Sequence, residues 1–257
     1  MLYCAGIDVG SSATKAVILD AEGQSLGLGL CHSGADFTNA AKTAFEQALR
    51  EAKIETSAIT RIIATGYGRS NVAFAHDRRT EIDTHARGAY HHFPRAITIV
   101  DIGGQDNKVI RLDENGRRVS FSMNRKCAAG TGSFLEEMAG RLKIPLEQFS
   151  KLAEQSRDES VRIGSYCTVF AMTEILSKIR GGAKAEDLAR AALDSVARRI
   201  LEAESFSGDV VATGGVVAHN PLMKDILSRT LKTAVFVPPH PQHIGAFGAA
   251  LAALKSS

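Results

Sequence analysis

Two aspartates of this chain stand at matching places. Asp8 lies two residues before Gly10 and Asp101 two residues before Gly103, and a lysine follows each, Lys15 and Lys108. A carboxylate beside a glycine turn suits phosphate chemistry. The N–H groups of such a turn can hold phosphate oxygens, and Mg²⁺ takes hard oxygen donors while keeping several of its own waters. Asp8 and Asp101 are therefore candidate groups for a water-bridged magnesium ion. The second chemistry on offer is thiolate. The chain has four cysteines, Cys4, Cys31, Cys127 and Cys167, and none falls in a CxxC pair. A metal site closed within one chain has weak support. For Cys127 and Cys167 the competing reading is that of small buried apolar residues.

The elements that must position these groups are written twice. DVGSSATKAVILDAEG, from Asp8 to Gly23, aligns without a gap to DIGGQDNKVIRLDENG, from Asp101 to Gly116. Beyond the aspartates, first glycines and lysines, Leu19 matches Leu112, Asp20 matches Asp113 and Gly23 matches Gly116. Each copy reads as strand, glycine-rich turn, strand and a second turn of hairpin type. A repeated hairpin predicts two similar domains. Around them the chain alternates helix and strand. Helices are expected over Asn39–Lys53, Phe134–Leu142, Leu146–Glu154, Val169–Ile179, Ala185–Ser205 and Gly245–Leu254, with strands over Arg61–Thr65 and Val210–Thr213. No linker or low-complexity stretch interrupts the chain.

The bulk numbers narrow the class. A length of 257 residues admits one large domain or two ordinary ones. A 44% apolar content supplies a real core, and a net charge of +3, spread among acidic groups, does not suggest nucleic acid. No apolar run approaches a membrane span. The N-terminal MLYCAGIDVG has no secretory pattern. The expectation is a cytoplasmic chain without nucleic-acid or membrane partners, its thiols kept reduced.

A third glycine site, Gly214 with Gly215, follows the strand at Val210. The order Gly10, Gly103–Gly104, Gly214–Gly215 resembles the two phosphate motifs and the adenosine motif of the actin, hexokinase and heat-shock-chaperone superfamily, with TGGVVAHN (Thr213–Asn220) as the adenosine motif and a helix starting at about Asn220. ATGYGR (Ala64–Arg69), MNRKCAAGTGSFLEEM (Met123–Met138), CTVFAMTEI (Cys167–Ile175) and PQHIGAFGAAL (Pro241–Leu251) narrow it further. Together these motifs resemble the ATPase that activates 2-hydroxyacyl-CoA dehydratases and drives benzoyl-CoA reductases.

The resemblance implies an α/β fold of two duplicated ribonuclease-H-like domains, residues 1–95 with 240–257 and residues 96–239, with a nucleotide cleft between them. It implies ATP or ADP with Mg²⁺, and a homodimer holding one 4Fe-4S cluster. Each chain supplies Cys127 and Cys167 as ligands; four thiolates are the usual set. Ferredoxin or flavodoxin donates the electron, and a dehydratase or reductase accepts it. The candidate catalytic residues are Asp8, Asp101 and Gln105. Gln105 either orients the attacking water or is a plain turn residue. Nucleotide contacts are expected from Gly10, Ser11, Ser12, Thr14, Lys15, Gly103, Gly104, Gly214, Gly215 and Asn220. Gly130, Thr131 and Gly132 either approach the phosphates or simply form a turn before a helix.

Lys108 is read as a solvated strand residue, Cys4 and Cys31 as inert, and His91, His92, His240 and His243 as surface or packing residues. Both candidate ligand cysteines precede helical segments, whose N-termini favour negative charge, and Arg125 and Lys126 add positive charge beside Cys127. The chain reads CTVFAMTE where the family commonly has CTVFAESE, so Met172 and Thr173 are departures that bear on the partner contact. Two other readings compete: a small-molecule kinase of the same fold, and a chaperone-like or filament-forming ATPase.

Overall fold

The computed structural model describes residues 2–124, 127–164 and 167–256. Arg125 and Lys126, the positive charges expected beside Cys127, lie outside the described residues.

The strands and helices run β1 (Tyr3–Val9), β2 (Ala13–Leu19), β3 (Ser25–His32), α1 (Phe37–Ala52), β4 (Ile59–Thr65), β5 (Asp77–Arg78), α2 (Glu81–His92), β6 (Ile97–Ile102), β7 (Asn107–Leu112), β8 (Arg118–Asn124), α3 (Gly132–Leu142), α4 (Leu146–Ala153), α5 (Thr168–Arg180), α6 (Ala185–Ala203), β9 (Val210–Thr213), α7 (Gly215–His219), α8 (Met223–Leu231), β10 (Val235–Phe236) and α9 (Ile244–Leu254). They build two five-stranded sheets, ordered β3-β2-β1-β4-β5 and β8-β7-β6-β9-β10. The order is the same twice, a hairpin and its third strand on one side and two crossover strands on the other, the outermost of them only two residues long in each sheet. In the first sheet β1 pairs antiparallel with β2 and parallel with β4. In the second, β6 pairs parallel with β9. The chain divides into two compact units, one of residues 1–97, 110–121 and 238–257, the other of residues 98–109 and 122–237.

The sequence repeat is a repeat of geometry down to single hydrogen bonds. In the first hairpin turn Gly10 N donates to Ala13 O, and in the second Gly103 N donates to Asp106 O. The far turns match as well. Asp20 Oδ1 accepts from the amides of Glu22 and Gln24, while Asp113 Oδ1 accepts from those of Asn115 and Arg117. Gly23 and Gly116 close these turns at φ 80° and 73°, a left-handed conformation that glycine adopts without a Cβ penalty. An aspartate at the start and a glycine at the fourth position thus have the same structural reason in both copies.

Each unit has its own core. In the first, Ile7, Val9, Ile18 and Ala64 of the sheet meet Ala41, Ala44 and Phe45 of α1. In the second, Val100 and Ile102 meet Phe134, Leu135 and Met138 of α3, Val196 of α6 and Ile226 of α8. The small-residue helix α9 packs on β1 and β2 through Ala246, Ala249 and Ala250. A side chain at Gly6 would run into the α9 backbone at Ala246 O. Helix α2 is held by Thr80, whose hydroxyl accepts from Asp83 N, and by two acids in its first turn.

No described helix is long and apolar enough to cross a membrane.

Candidate nucleotide site and cysteine pair

The first glycine turn carries Asp8 on β1 and Lys15 directly opposite on β2. Lys15 Nζ lies 3.3 Å from Asp8 Oδ2, and both side chains are mostly buried. Gly66 and Gly245 hem in the same carboxylate. A Cβ at Gly66 would meet Asp8 Oδ1, and one at Gly245 would stand 2.9 Å from Oδ2 and 2.8 Å from the His85 ring. Asp8 is therefore locked in place by close backbone approach as much as by its ion pair.

The turn itself is bolted from β3. Ser33 Oγ donates to Gly10 O (2.6 Å) and shares a 2.8 Å hydrogen bond with Thr14 Oγ1. The serine's one proton is spent on Gly10, so Thr14 is the donor. Thr14 is fully buried and its hydroxyl holds the turn from beneath. Ser33 N also donates to Ser12 O. Ser11 and Ser12 remain half-buried at the lip, and their amides have no backbone acceptor among the described residues. This is the cradle of free N–H groups that a phosphate needs.

His243 is a neighbour of this cradle. Burial is the main force that pushes its imidazole down to about 4; the positive charges of Lys15 and His240 add to it, while the Gly29 carbonyl and Asp8 oppose it. Its Nε2 is buried without a hydrogen-bond partner. His91 and His92 pack against Phe247, with ring centroids 5.2 and 5.0 Å away.

In the second unit Asp101 accepts from Lys108 Nζ (3.1 Å) on Oδ2 and from Thr213 Oγ1 (2.9 Å) on Oδ1. Lys108 Nζ also lies 3.0 Å from Asp106 Oδ2. Lys108 is 4% exposed, so the expectation of a solvated strand lysine is corrected: two carboxylates reward burying its charge. Gln105 stands exposed at the tip of this turn, and the amides of Gly104 and Gln105 have no backbone acceptor among the described residues.

Gly214 completes this arrangement. It has φ 97°, and a Cβ there would collide with Ile102 O, one residue beyond Asp101. Only glycine lets the chain leave β9 over β6 and enter a helix. That helix, α7, begins at Gly215, not at Asn220 as expected. Asn220 is instead its C-cap, buried, with Nδ2 donating to Val216 O (2.8 Å). A polar residue after VVAH signals the end of this short helix as readily as the start of the next.

Gly130, Thr131 and Gly132 join the second glycine turn to the cysteine segment. Asn107 Nδ2 donates to Gly130 O (2.7 Å), and Thr131 Oγ1 donates to Ala128 O (2.6 Å). Gly132 N donates to Gly103 O and Ser133 N to Gly104 O, while Ser133 Oγ donates to Gly104 O (2.8 Å). The first amides of α3, which no helical partner can satisfy, are thus given to the carbonyls of the second glycine turn.

Cys127 lies just upstream, half-buried, and Cys167 is exposed at the N-cap of α5, where no side chain caps the first amides. Glu174 receives the Gly164 amide on both carboxylate oxygens and so ties Gly164 back onto α5. Met172 belongs to the apolar core, so of the two departures only Thr173 lies at the surface. Beside Cys167, Val169 and Phe170 are 71% and 68% exposed. Cys4 is fully buried in β1, and Cys31 donates its thiol to Ala40 O, its ionisation opposed by burial. Among the described residues no group of three or more His, Cys, Asp or Glu is gathered to hold a metal within one chain. The donor chemistry of two accessible thiols fits half of a four-thiolate cluster site.

Two like-ordered sheets, each with an aspartate–lysine pair on its first hairpin, define an α/β protein of the actin, hexokinase and heat-shock-chaperone ATPase fold. A ROK glucokinase from Streptomyces griseus shares that fold, with a TM-score of 0.60 over 98% of this chain and 99% of that one at 13% identity, which speaks for the fold alone. The chain belongs to the BadF/BadG/BcrA/BcrD ATPase family, which it matches over residues 5–253. It is 40% identical to the activator of lactoyl-CoA dehydratase of Anaerotignum propionicum, over 100% of this chain and 99% of that one. It is also similar to the activator of the 2-hydroxyisocaproyl-CoA dehydratase from Clostridium difficile with bound ADPNP, at 38% identity and a TM-score of 0.92 over 99% and 95% of the chains.

Proposed function

We propose that this chain is an ATP-hydrolysing activator that drives single electrons, at low potential, into a partner 2-hydroxyacyl-CoA dehydratase or benzoyl-CoA-reductase-type enzyme. The observation that carries the reading is the hydrogen-bonded run from the Gly103–Gly104 turn through Gly132 and Ser133 to the segment of Cys127, in a chain similar along its whole length to dehydratase activators. Nucleotide phosphate on that turn and a thiolate upstream of α3 then share one piece of backbone.

Residues take roles by their chemistry. The amides of Ser11, Ser12, Gly104 and Gln105 bind phosphate oxygens, and Lys15 neutralises them. Asp8 and Asp101 direct the water shell of Mg²⁺, which accepts hard oxygens. Gln105, exposed and neutral, orients the attacking water. Gly214 and Gly215 give the adenosine close approach to backbone.

Cys127 and Cys167, with the same pair from a second copy, would hold a 4Fe-4S cluster, which supplies one-electron redox chemistry when bound. Cys167 at an uncapped helix start places its thiolate in a favourable dipole field. The exposed Val169 and Phe170 beside it supply apolar surface for the second copy. Ferredoxin or flavodoxin is the proposed electron donor.

Anaerobic purification tests the reading: a brown dimer with about four irons is expected from the four-thiolate ligand set. A colourless protein that stays iron-free after anaerobic reconstitution would return the chain to the kinase or chaperone-like reading.

A further inference from the structure

Away from every residue assigned above, a cavity of about 190 Å³ opens between α6, α8 and the segment joining α4 to α5. Its lining is dominated by four arginines, Arg162, Arg190, Arg198 and Arg229, with two acids, Glu159 and Asp194. Arg190 is 9% exposed and spends Nε on Asp194 Oδ1 (3.3 Å). One oxygen, Glu159 Oε1, lies 3.2 Å from Arg190 Nη2 and 3.2 Å from Arg229 Nη1. Arg198 donates Nη2 to the carbonyl of Ile163, and its Nη1 is buried without a partner. Arg162 and Arg198 pair with no acid among the described residues.

We propose that this cavity is a phosphate-binding site. With Glu159 swung out, four guanidinium groups face Asp194 alone, an excess of positive charge that a doubly charged phosphate largely offsets. Guanidinium forks match phosphate oxygens in pairs. The position that an anion's oxygen would occupy is already marked by Glu159 Oε1, bridging two arginines. Glu159 is 61% exposed, so its carboxylate swings out to water at little loss while a phosphate takes its place. The ligand is orthophosphate itself or the terminal phosphate of a larger molecule whose remainder lies outside the cavity.

The test is equilibrium dialysis of radiolabelled orthophosphate against full-length protein carrying about one equivalent of ADPNP per chain, which fills the nucleotide phosphate positions without leaving free nucleotide to compete at the cavity. Saturable binding is expected that a matched concentration of chloride does not displace. Arg162→Ala, which breaks no ion pair, weakens it several-fold, and Arg162→Ala with Arg229→Ala weakens it at least tenfold. Glu159→Gln tightens it, because the competing carboxylate is gone; a purely structural salt-bridge network predicts no gain. Competition by glucose 6-phosphate as well as orthophosphate assigns the site to the end of a larger ligand, and competition by orthophosphate alone assigns it to the free ion. No saturable binding, or unchanged binding in the folded Arg162→Ala protein, overturns the proposal. Iron content does not enter the measurement, so the result is independent of the activator reading.

Discussion

Lys108 Nζ sits 3.1 Å from Asp101 Oδ2, seven residues upstream across the second hairpin, repeating in a more buried setting the 3.3 Å contact of Lys15 with Asp8 in the first. The two pairs differ in what surrounds them. Lys108 is shared with Asp106, and Asp101 is also bonded by Thr213, whereas Lys15 is 14% exposed. The second pair is built as structure, and the first keeps its cation near the free amides of Ser11 and Ser12.

Breaking the two pairs should therefore have different consequences. Lys108→Met strands Asp101 and Asp106 and is expected to destabilise the fold by about 3–5 kcal/mol, the range for an orphaned buried charge. Lys15→Ala also strands buried Asp8, but next to a more exposed partner site that water can enter, so it should cost less stability than Lys108→Met and lower ATP turnover by at least about tenfold, or about 1.4 kcal/mol. Urea titrations and ATPase rates measured side by side decide it; a normal rate for Lys15→Ala removes that lysine from the site.

The cysteines divide by exposure and place. Cys127→Ser and Cys167→Ser should each abolish iron binding after anaerobic reconstitution, whereas Cys31→Ser, which loses only a thiol bond to Ala40 O, should retain it. A full iron complement in Cys167→Ser protein would mean that the ligand assignment is wrong.

Ser133→Ala removes one hydrogen bond between α3 and the second glycine turn. The expected loss of stability is about 1 kcal/mol. The more telling readout is the change in cluster potential on adding nucleotide, which should shrink in the variant at saturating ATP. An identical nucleotide-induced shift would show that coupling runs elsewhere.

Histidine 243 predicts a pH dependence. Its folded value of about 4 lies below the ordinary 6.5, so the unfolded chain binds the proton more readily. Stability is then complete above pH 6.5 and falls as the pH drops from 6.5 toward 4, by up to about 3 kcal/mol. Denaturation midpoints of the native protein and of His243→Gln across this range should converge toward acid. Parallel curves would show that the imidazole is not the cause.

Gly214→Ala should be far worse than a usual surface glycine change. It forces a Cβ into a left-handed conformation and onto the Ile102 carbonyl, at about 2 kcal/mol or more. Soluble, normally stable Gly214→Ala protein would contradict this account of the turn after β9.

The sequence by itself determined what is local or repeated. The Asp-x-Gly turns, the aspartate and glycine of each far turn and the helices α1, α4, α6 and α9 were legible because hydrogen bonds within a few residues and a regular apolar period dictate them. Helix α2 was not read, since apart from Ile82 its buried face is small or polar, with Thr84, His85, Ala86, Gly88 and Ala89. Tertiary structure alone decided the rest. It buried Lys108 between two carboxylates, turned Asn220 into a helix C-cap, put Ser33 beneath Gly10 and spent the first amides of α3 on Gly103 and Gly104. It also gathered Arg162, Arg190, Arg198 and Arg229, spread over three separate segments, around one cavity. In each case the physical reason is the same: the energy of a charge or a polar group depends on what lies next to it in space, and those neighbours are far away along the chain.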